Sequence, residues 1–120
     1  MEINTIKGEN YIAFQIIGNF DQQGAMYLRN ILINDYLIGE KVPSDLPHVI
    51  FDFTQIESIS SSGIGLLASL QRTFDKSNKL LSLTKIPHSL QQILKVANLI
   101  GVFTVYKNIE DAVANKPPLS

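Results

Sequence analysis

Hydrophobic positions along this chain recur with two periods, and the switches between them mark out its elements. Residues 2–7 read as a short first strand, with Gly8-Glu9-Asn10 as its turn. Residues 11–17 (Tyr-Ile-Ala-Phe-Gln-Ile-Ile) are β-rich and almost unbroken in apolar character, which predicts a strand buried on both faces. Gly18 and Asn19 are expected to end it. Asp21 then suits a helix N-cap, because its carboxylate can accept from N–H groups of the first turn. Helical spacing follows over residues 22–37, where Ala25, Leu28, Leu32 and Tyr36 share a face. Met26, Ile33 and Leu37 lie on another side and widen the apolar arc. A wide arc means either deep burial or an exposed patch that meets a partner.

Residues 39–47 hold a glycine, two prolines, Ser44 and Asp45, and read as a loop. Residues 48–53 form the next strand, and residues 54–58 a connector with Ile56 and Ile59 tucked beneath it. The helix expected over residues 65–76 carries Ile64, Leu67, Leu70 and Phe74 on or near one face, with Ser69, Arg72 and Lys76 opposite. A third strong strand spans residues 79–84. Pro87 fits the first turn of a further helix, whose stripe is Leu90, Ile93, Leu94 and Ala97 and which residues 99–101 close. Residues 102–106 are the last strand, Ile109, Ala112 and Val113 a short closing helix, and residues 113–120 a tail expected to fray. The order is β-β-α-β-α-β-α-β-α. It predicts one α/β domain over residues 1–120 with a mixed, mostly parallel sheet and about four helices. The first two strands can pair as a hairpin, and the crossovers from residue 48 onward are long enough for parallel βαβ units.

Composition narrows the chemistry. With 120 residues, 45% hydrophobic and 18% charged, the chain suits a single core. Formal net charge is -1 and no two cations are adjacent, which argues against a nucleic-acid groove or an anionic membrane surface as partner. The absence of cysteine excludes disulfides and thiolate metal sites. His48 and His88 are the only histidines and lie far apart; His48 reads as a strand-edge residue, and neither metal nor cofactor is expected. No apolar run approaches the roughly 18 residues of a membrane span, and the first residues lack the plan of a signal peptide. A cytoplasmic location is the expectation.

The most informative stretch is Ser58-Ile59-Ser60-Ser61-Ser62-Gly63-Ile64-Gly65, where a strand-connector hands over to a helix. A helix N-terminus has unpaired N–H groups and partial positive charge, and it accepts anions such as phosphate. Ser60 suits the N-cap, which leaves Ser61 and Ser62 in the first turn. A cap needs one serine, and here there are three, so capping alone and an exposed functional serine are both open on these grounds. Gly63-Ile64-Gly65-Leu66-Leu67-Ala68 fits G-x-G-x-x-A, but nine residues separate it from the preceding strand, and Leu83-Thr84-Lys85 stand where an acidic residue is needed. A dinucleotide site is therefore not expected. No P-loop and no G-x-S-x-G elbow is present, and a serine hydrolase would lack a base.

Phe51-Asp52-Phe53-Thr54 followed by residues 59–67 resembles the signature of STAS domains, and especially of bacterial anti-sigma factor antagonists. Gly18-Asn19-Phe20-Asp21 resembles that family's approach to its first helix, and residues 98–106 with Glu110-Asp111-Ala112 its C-terminal end. The similarity runs from about residue 11 to 113. It implies a switch protein without catalytic activity, monomeric or weakly dimeric, which binds an anti-sigma factor that is also a serine kinase. Phosphorylation would release that partner and a phosphatase would restore binding. Ser61, two before the glycine, is the implied phosphate acceptor, with Ser60 and Ser62 as alternatives. The implied docking surface comprises Asp21, Ser60, Ser61, Ser62, Gly63 and Ile64. One departure stands out: family members usually carry aspartate just before the acceptor, where this chain has Ser60. The alternative is a STAS subunit of a larger assembly, such as a lipid-transport complex or stress-sensing scaffold, in which the serines are structural.

Overall fold

Strand β2 (Tyr11–Phe20) is the axis on which the fold turns. In the computed structural model, described for residues 1–38, 41–114 and 116–119, β1 (Glu2–Lys7) lies antiparallel to β2 as the expected hairpin. On its other edge the first half of β2 pairs in parallel with β3 (His48–Asp52), Tyr11 opposite His48 and Gln15 opposite Asp52. Gly18 then adopts φ +93°, a conformation that L side chains rarely take, and the register shifts between Gly18 and Asn19. Past that bulge β2 pairs with β4 (Ile56–Ile59) as far as Phe20 and Ile59. Gly18-Asn19 therefore does not end the strand, as the sequence suggested; it changes the strand's partner. The expected connector over residues 54–58 is mostly this extra strand, with Ile56 and Ile59 half-buried.

The sheet order is β1-β2-β3-β5-β6, with β5 spanning Leu81–Thr84 and β6 Thr104–Tyr106, and every pairing apart from β1–β2 is parallel. Helices α1 (Gln22–Asp35), α2 (Ser61–Lys76) and α3 (His88–Val96) cover one face. Their contributions to the core are Leu28 and Leu32, Leu67, Leu70 and Phe74, and Leu90 and Leu94, packed on Ile12, Phe14, Ile16, Val49, Phe51 and Leu83. The expected α1 and α2 faces are thus the buried ones. On the other face α4 (Ile109–Val113) packs Ala112 against Ala13 and Ile50. Burial of Ile12, Ala13 and Phe14 in succession matches a strand covered on both faces.

Several local expectations need correction. Met26 is exposed while Ile33 and Leu37 are half-buried, so the wide arc of α1 is only partly covered. Pro87 is the N-cap of α3 rather than its first-turn residue. The α3 stripe splits, since Leu90 and Leu94 are buried but Ile93 and Ala97 face outward. Asn98 at φ +60° reverses the chain after α3, with Leu99 N–H donating to the Leu94 carbonyl at 2.8 Å, ahead of residues 99–101. The end of the chain is tied down: Lys116 N–H donates to the Asp111 carbonyl at 3.1 Å, and Leu119 N–H to the Val105 carbonyl on edge strand β6 at 2.7 Å. In the loop after α1, Val42 and Leu46 plug the core, while Gly39 and Glu40 lie outside the described residues, as do Asn115 and Ser120 of the tail. Among the described residues no helix is long and apolar enough to cross a membrane.

Candidate functional site

Parallel strands deliver two helix starts to the same end of the sheet. Strand β4 ends at Ile59, and Ser60 follows in extended conformation as the N-cap of α2. The Ser60 N–H donates to the Phe20 carbonyl at 3.0 Å, and the Ser60 hydroxyl reaches the same oxygen at 3.4 Å. That hydroxyl also accepts from the Gly63 N–H at 3.4 Å, while the Ser60 carbonyl takes the Ile64 N–H at 3.1 Å. Ser60 is thus spent on structure, as the capping reading expected. Gly63 is there for space: a Cβ at this position would stand 2.7 Å from the Phe20 carbonyl oxygen, a backbone atom that cannot swing away. Gly65 has open space around it, so the second glycine of the apparent dinucleotide pattern answers no steric need.

Ser61 and Ser62 occupy the first turn and are exposed. Among the described residues neither hydroxyl makes a hydrogen bond, so both are available to a ligand or a modifying enzyme. The first turn holds no acidic side chain, which leaves the partial positive charge of this helix end uncompensated by its own residues. Ile64 is half-buried against the core and presents only part of its surface.

Asp21 caps α1, its carboxylate accepting from the Gly24 N–H at 2.9 Å. Because Phe20 is bonded to Ser60, the next residue along, Asp21, lies beside the serine turn at one end of the sheet. All six residues singled out in the sequence therefore gather there. Two others at this rim were missed: the Ser58 hydroxyl donates to Asn19 Oδ1 at 2.7 Å, a pin across the β2–β4 pair. Their signal was faint, because β4 is too short to show a period in sequence. A cleft of about 280 Å³ beside Asp21 is lined by Asn19, Gln23 and Tyr27 among others.

The histidines lie elsewhere. His48 opens β3 at the opposite end, where its Nε2 is 2.7 Å from the Ser82 hydroxyl and burial lowers its pKa below 6.5. His88 meets Gln92 on α3. Buried Asp52, from the Phe-Asp-Phe-Thr segment, accepts from the Thr84 hydroxyl at 2.8 Å and links β3 to β5 rather than joining the site. Among the described residues no group of three or more His, Cys, Asp or Glu could hold a metal ion.

Comparison with known proteins places this geometry. An anti-sigma factor antagonist from Thermotoga maritima, so described, superposes with a TM-score of 0.80 at 14% identity over 94% of this chain and 92% of that one. The anti-sigma factor antagonist SpoIIAA in its unphosphorylated form gives a TM-score of 0.75 at 14% identity over 95% of each chain. The Bacillus SpoIIAA in its phosphorylated form gives 0.67 at 13% identity over 95% of this chain and 98% of that one. At such identities the likeness establishes a shared fold. No curated protein matches by sequence. The STAS domain family model, in contrast, matches residues 2–112. Sheet order, helix placement and family match agree, and the chain belongs to the STAS domain family.

Proposed function

We propose that this protein is a phospho-regulated binding switch of the anti-sigma factor antagonist kind, acting in the cytoplasm and without catalytic activity of its own. Unphosphorylated, it would bind an anti-sigma factor that is also a serine kinase. Phosphorylation of Ser61 would release that partner, and a phosphatase would reset the switch. The observation that carries the reading is the division of labour in the serine run. Ser60 is committed to the cap, while Ser61 stands exposed in the first turn of α2, its hydroxyl without a hydrogen bond among the described residues. Fold likeness to SpoIIAA, known in both unphosphorylated and phosphorylated forms, supports it.

The physics is local. Phosphate adds about -1.5 to -2 charge and three acceptor oxygens at a helix N-terminus, which tolerates them. The fold therefore stays intact. The docking surface does not, because a small neutral hydroxyl becomes a group whose charge must be desolvated for binding. Asp21 lies at the same rim, so an added phosphate also raises the local negative charge that a partner meets.

The test begins with the partner co-purified from the native cell, the phosphosite mapped by mass spectrometry and affinity measured by calorimetry. Ser61→Ala should fold and bind as the wild type does. Ser61→Asp should fold equally well but bind at least about tenfold more weakly, a loss of about 1.4 kcal/mol. Phosphate found on Ser60 or Ser62 alone, with Ser61→Asp binding normally, would reassign the acceptor. If no serine of the run carries phosphate and no substitution alters binding, the turn is a cap and the assembly-subunit reading replaces this one.

A further inference from the structure

Helices α1 and α2 leave the same end of the sheet and pack against each other, and a groove of about 260 Å³ runs between them, away from the serine turn. Buried Leu32 and Leu70 lie beneath it, and half-buried Ile33 and Leu66 form its sides. Arg29 stands on the α1 side, and Arg72 and Lys76 on the α2 side. All three cations are exposed, and among the described residues none makes a hydrogen bond or ion pair. Among the described residues the groove lining includes no carboxylate. On a chain of net charge -1, three of the 10 cations thus converge on one concave surface with an apolar floor and a polar rim, to which Ser69 and Thr73 add hydroxyls.

We infer that this groove docks an acidic amphipathic helix of a protein partner, as an anchor separate from the serine turn. The apolar sides call for side chains inserted from outside, at the i, i+3, i+4 spacing with which a helix fills a groove. The cations on both sides call for Glu or Asp flanking that stripe. Leu66 to Lys76 spans about 15 Å at the rise of an α-helix, enough for roughly three turns of partner. A membrane surface fits less well. The large exposed hydrophobics, among them Met26, Ile93 and Val96, lie outside the groove, and its own apolar side chains are recessed rather than set to insert into lipid. A phosphate backbone would satisfy the cations and leave the apolar sides unused. The inference rests on the reading of this chain as a protein-binding domain, and it does not depend on phosphorylation.

A fluorescein-labelled synthetic helix with leucine on one face and glutamate on the other is the probe, followed by anisotropy on the full chain. It should bind at low salt and weaken as salt rises, while a lysine-for-glutamate version should not bind. R29E and R72E, each checked for an unchanged melting temperature, should weaken binding by roughly tenfold apiece. R72Q should weaken it less. Amide shifts on binding should concentrate on α1 and α2 around the groove. Ser61→Asp should leave probe binding unchanged, which separates this anchor from the switch. Failure of the acidic helix to bind, or equal binding to R29E and R72E, overturns the inference. So does charge-dependent binding to vesicles of phosphatidylcholine and phosphatidylglycerol in place of the peptide. Normal Ser61-dependent partner binding in R29E and R72E, with the probe inactive, removes the groove and leaves the switch standing.

Discussion

The starts of α1 and α2 are built on one plan and differ in charge. Each helix follows a strand, each cap residue is extended, and each cap side chain accepts from the N–H of the glycine three residues on. In α1 the acceptor is the Asp21 carboxylate, at 2.9 Å from Gly24 N. In α2 it is the Ser60 hydroxyl, at 3.4 Å from Gly63 N. One start meets the helix dipole with a full negative charge, and the other leaves it unanswered. A helix end that only has to be stable is served best by the first arrangement. The second, with exposed hydroxyls in its first turn, leaves that pole open, which suits the acceptor role proposed for Ser61. Phe20 ties the two together: it precedes Asp21 in the chain, and its carbonyl holds Ser60.

Phe20 is therefore where the comparison breaks first. Its ring is fully buried and its Cγ lies 3.1 Å from where a Gly63 Cβ would stand. Phe20→Ala should cost about 3–5 kcal/mol as a core truncation, read as a denaturation midpoint, while the backbone bond from Ser60 to the residue 20 carbonyl survives. A small loss would mean that the ring adds little to the packing beneath the two starts. The glycines come next. Gly63→Ala forces a methyl group to 2.7 Å from the Phe20 carbonyl oxygen and should cost roughly 1–3 kcal/mol. At Gly24 the nearest atom is the movable sulfur of Met1, with the Asn19 carbonyl at 3.2 Å. Helix propensity favours alanine there by up to about 1 kcal/mol, so Gly24→Ala should be near neutral. Equal losses at both positions would show that backbone proximity to Phe20 is not what Gly63 serves. The caps follow: Asp21→Ala should cost about 1–2 kcal/mol and Ser60→Ala about half that, given its longer bond. Thermal melts of both variants decide the order.

Which parts were legible in the sequence follows from how far each interaction reaches. Both caps were legible, because a cap bond spans three residues and needs only the right side chain before a helical run. The buried faces of α1 and α2 were legible for a similar reason: periodicity repeats over several turns. Strand β4 was not. Its four residues include exposed Glu57 and Ser58, and it is held by the far half of β2, across a bulge that no local pattern announces. The need for Gly63 was not legible either, because the atom its bare backbone approaches, the Phe20 carbonyl oxygen, belongs to a residue far away in the chain. The α3 stripe misled because only one side of that helix meets the core, leaving Ile93 and Ala97 outward despite their spacing. Of the candidate site, the two caps and the serine run at a helix start were legible, and the bonding through Phe20, Asn19 and Ser58 that brings them to one rim was not.

The smallest effect is the sharpest test of the charge argument. Ser60→Asp makes the start of α2 like that of α1. As caps the two residues are nearly equivalent, so any difference comes from charge. A carboxylate at this helix end should contribute about 0.3–1 kcal/mol at low ionic strength. Against it stands the loss of the hydroxyl's contact with the Phe20 carbonyl, which at 3.4 Å is long and weak. The Ser60 N–H bond to that carbonyl, at 3.0 Å, involves only backbone and survives the substitution. The expected net is a gain of a few tenths of a kcal/mol that fades as salt screens the charge. Denaturant titrations at low and high salt measure it. A loss of stability at low salt would show that the hydroxyl's bond to Phe20 outweighs the dipole, and that this helix end is not the uncompensated pole on which an arriving phosphate would settle.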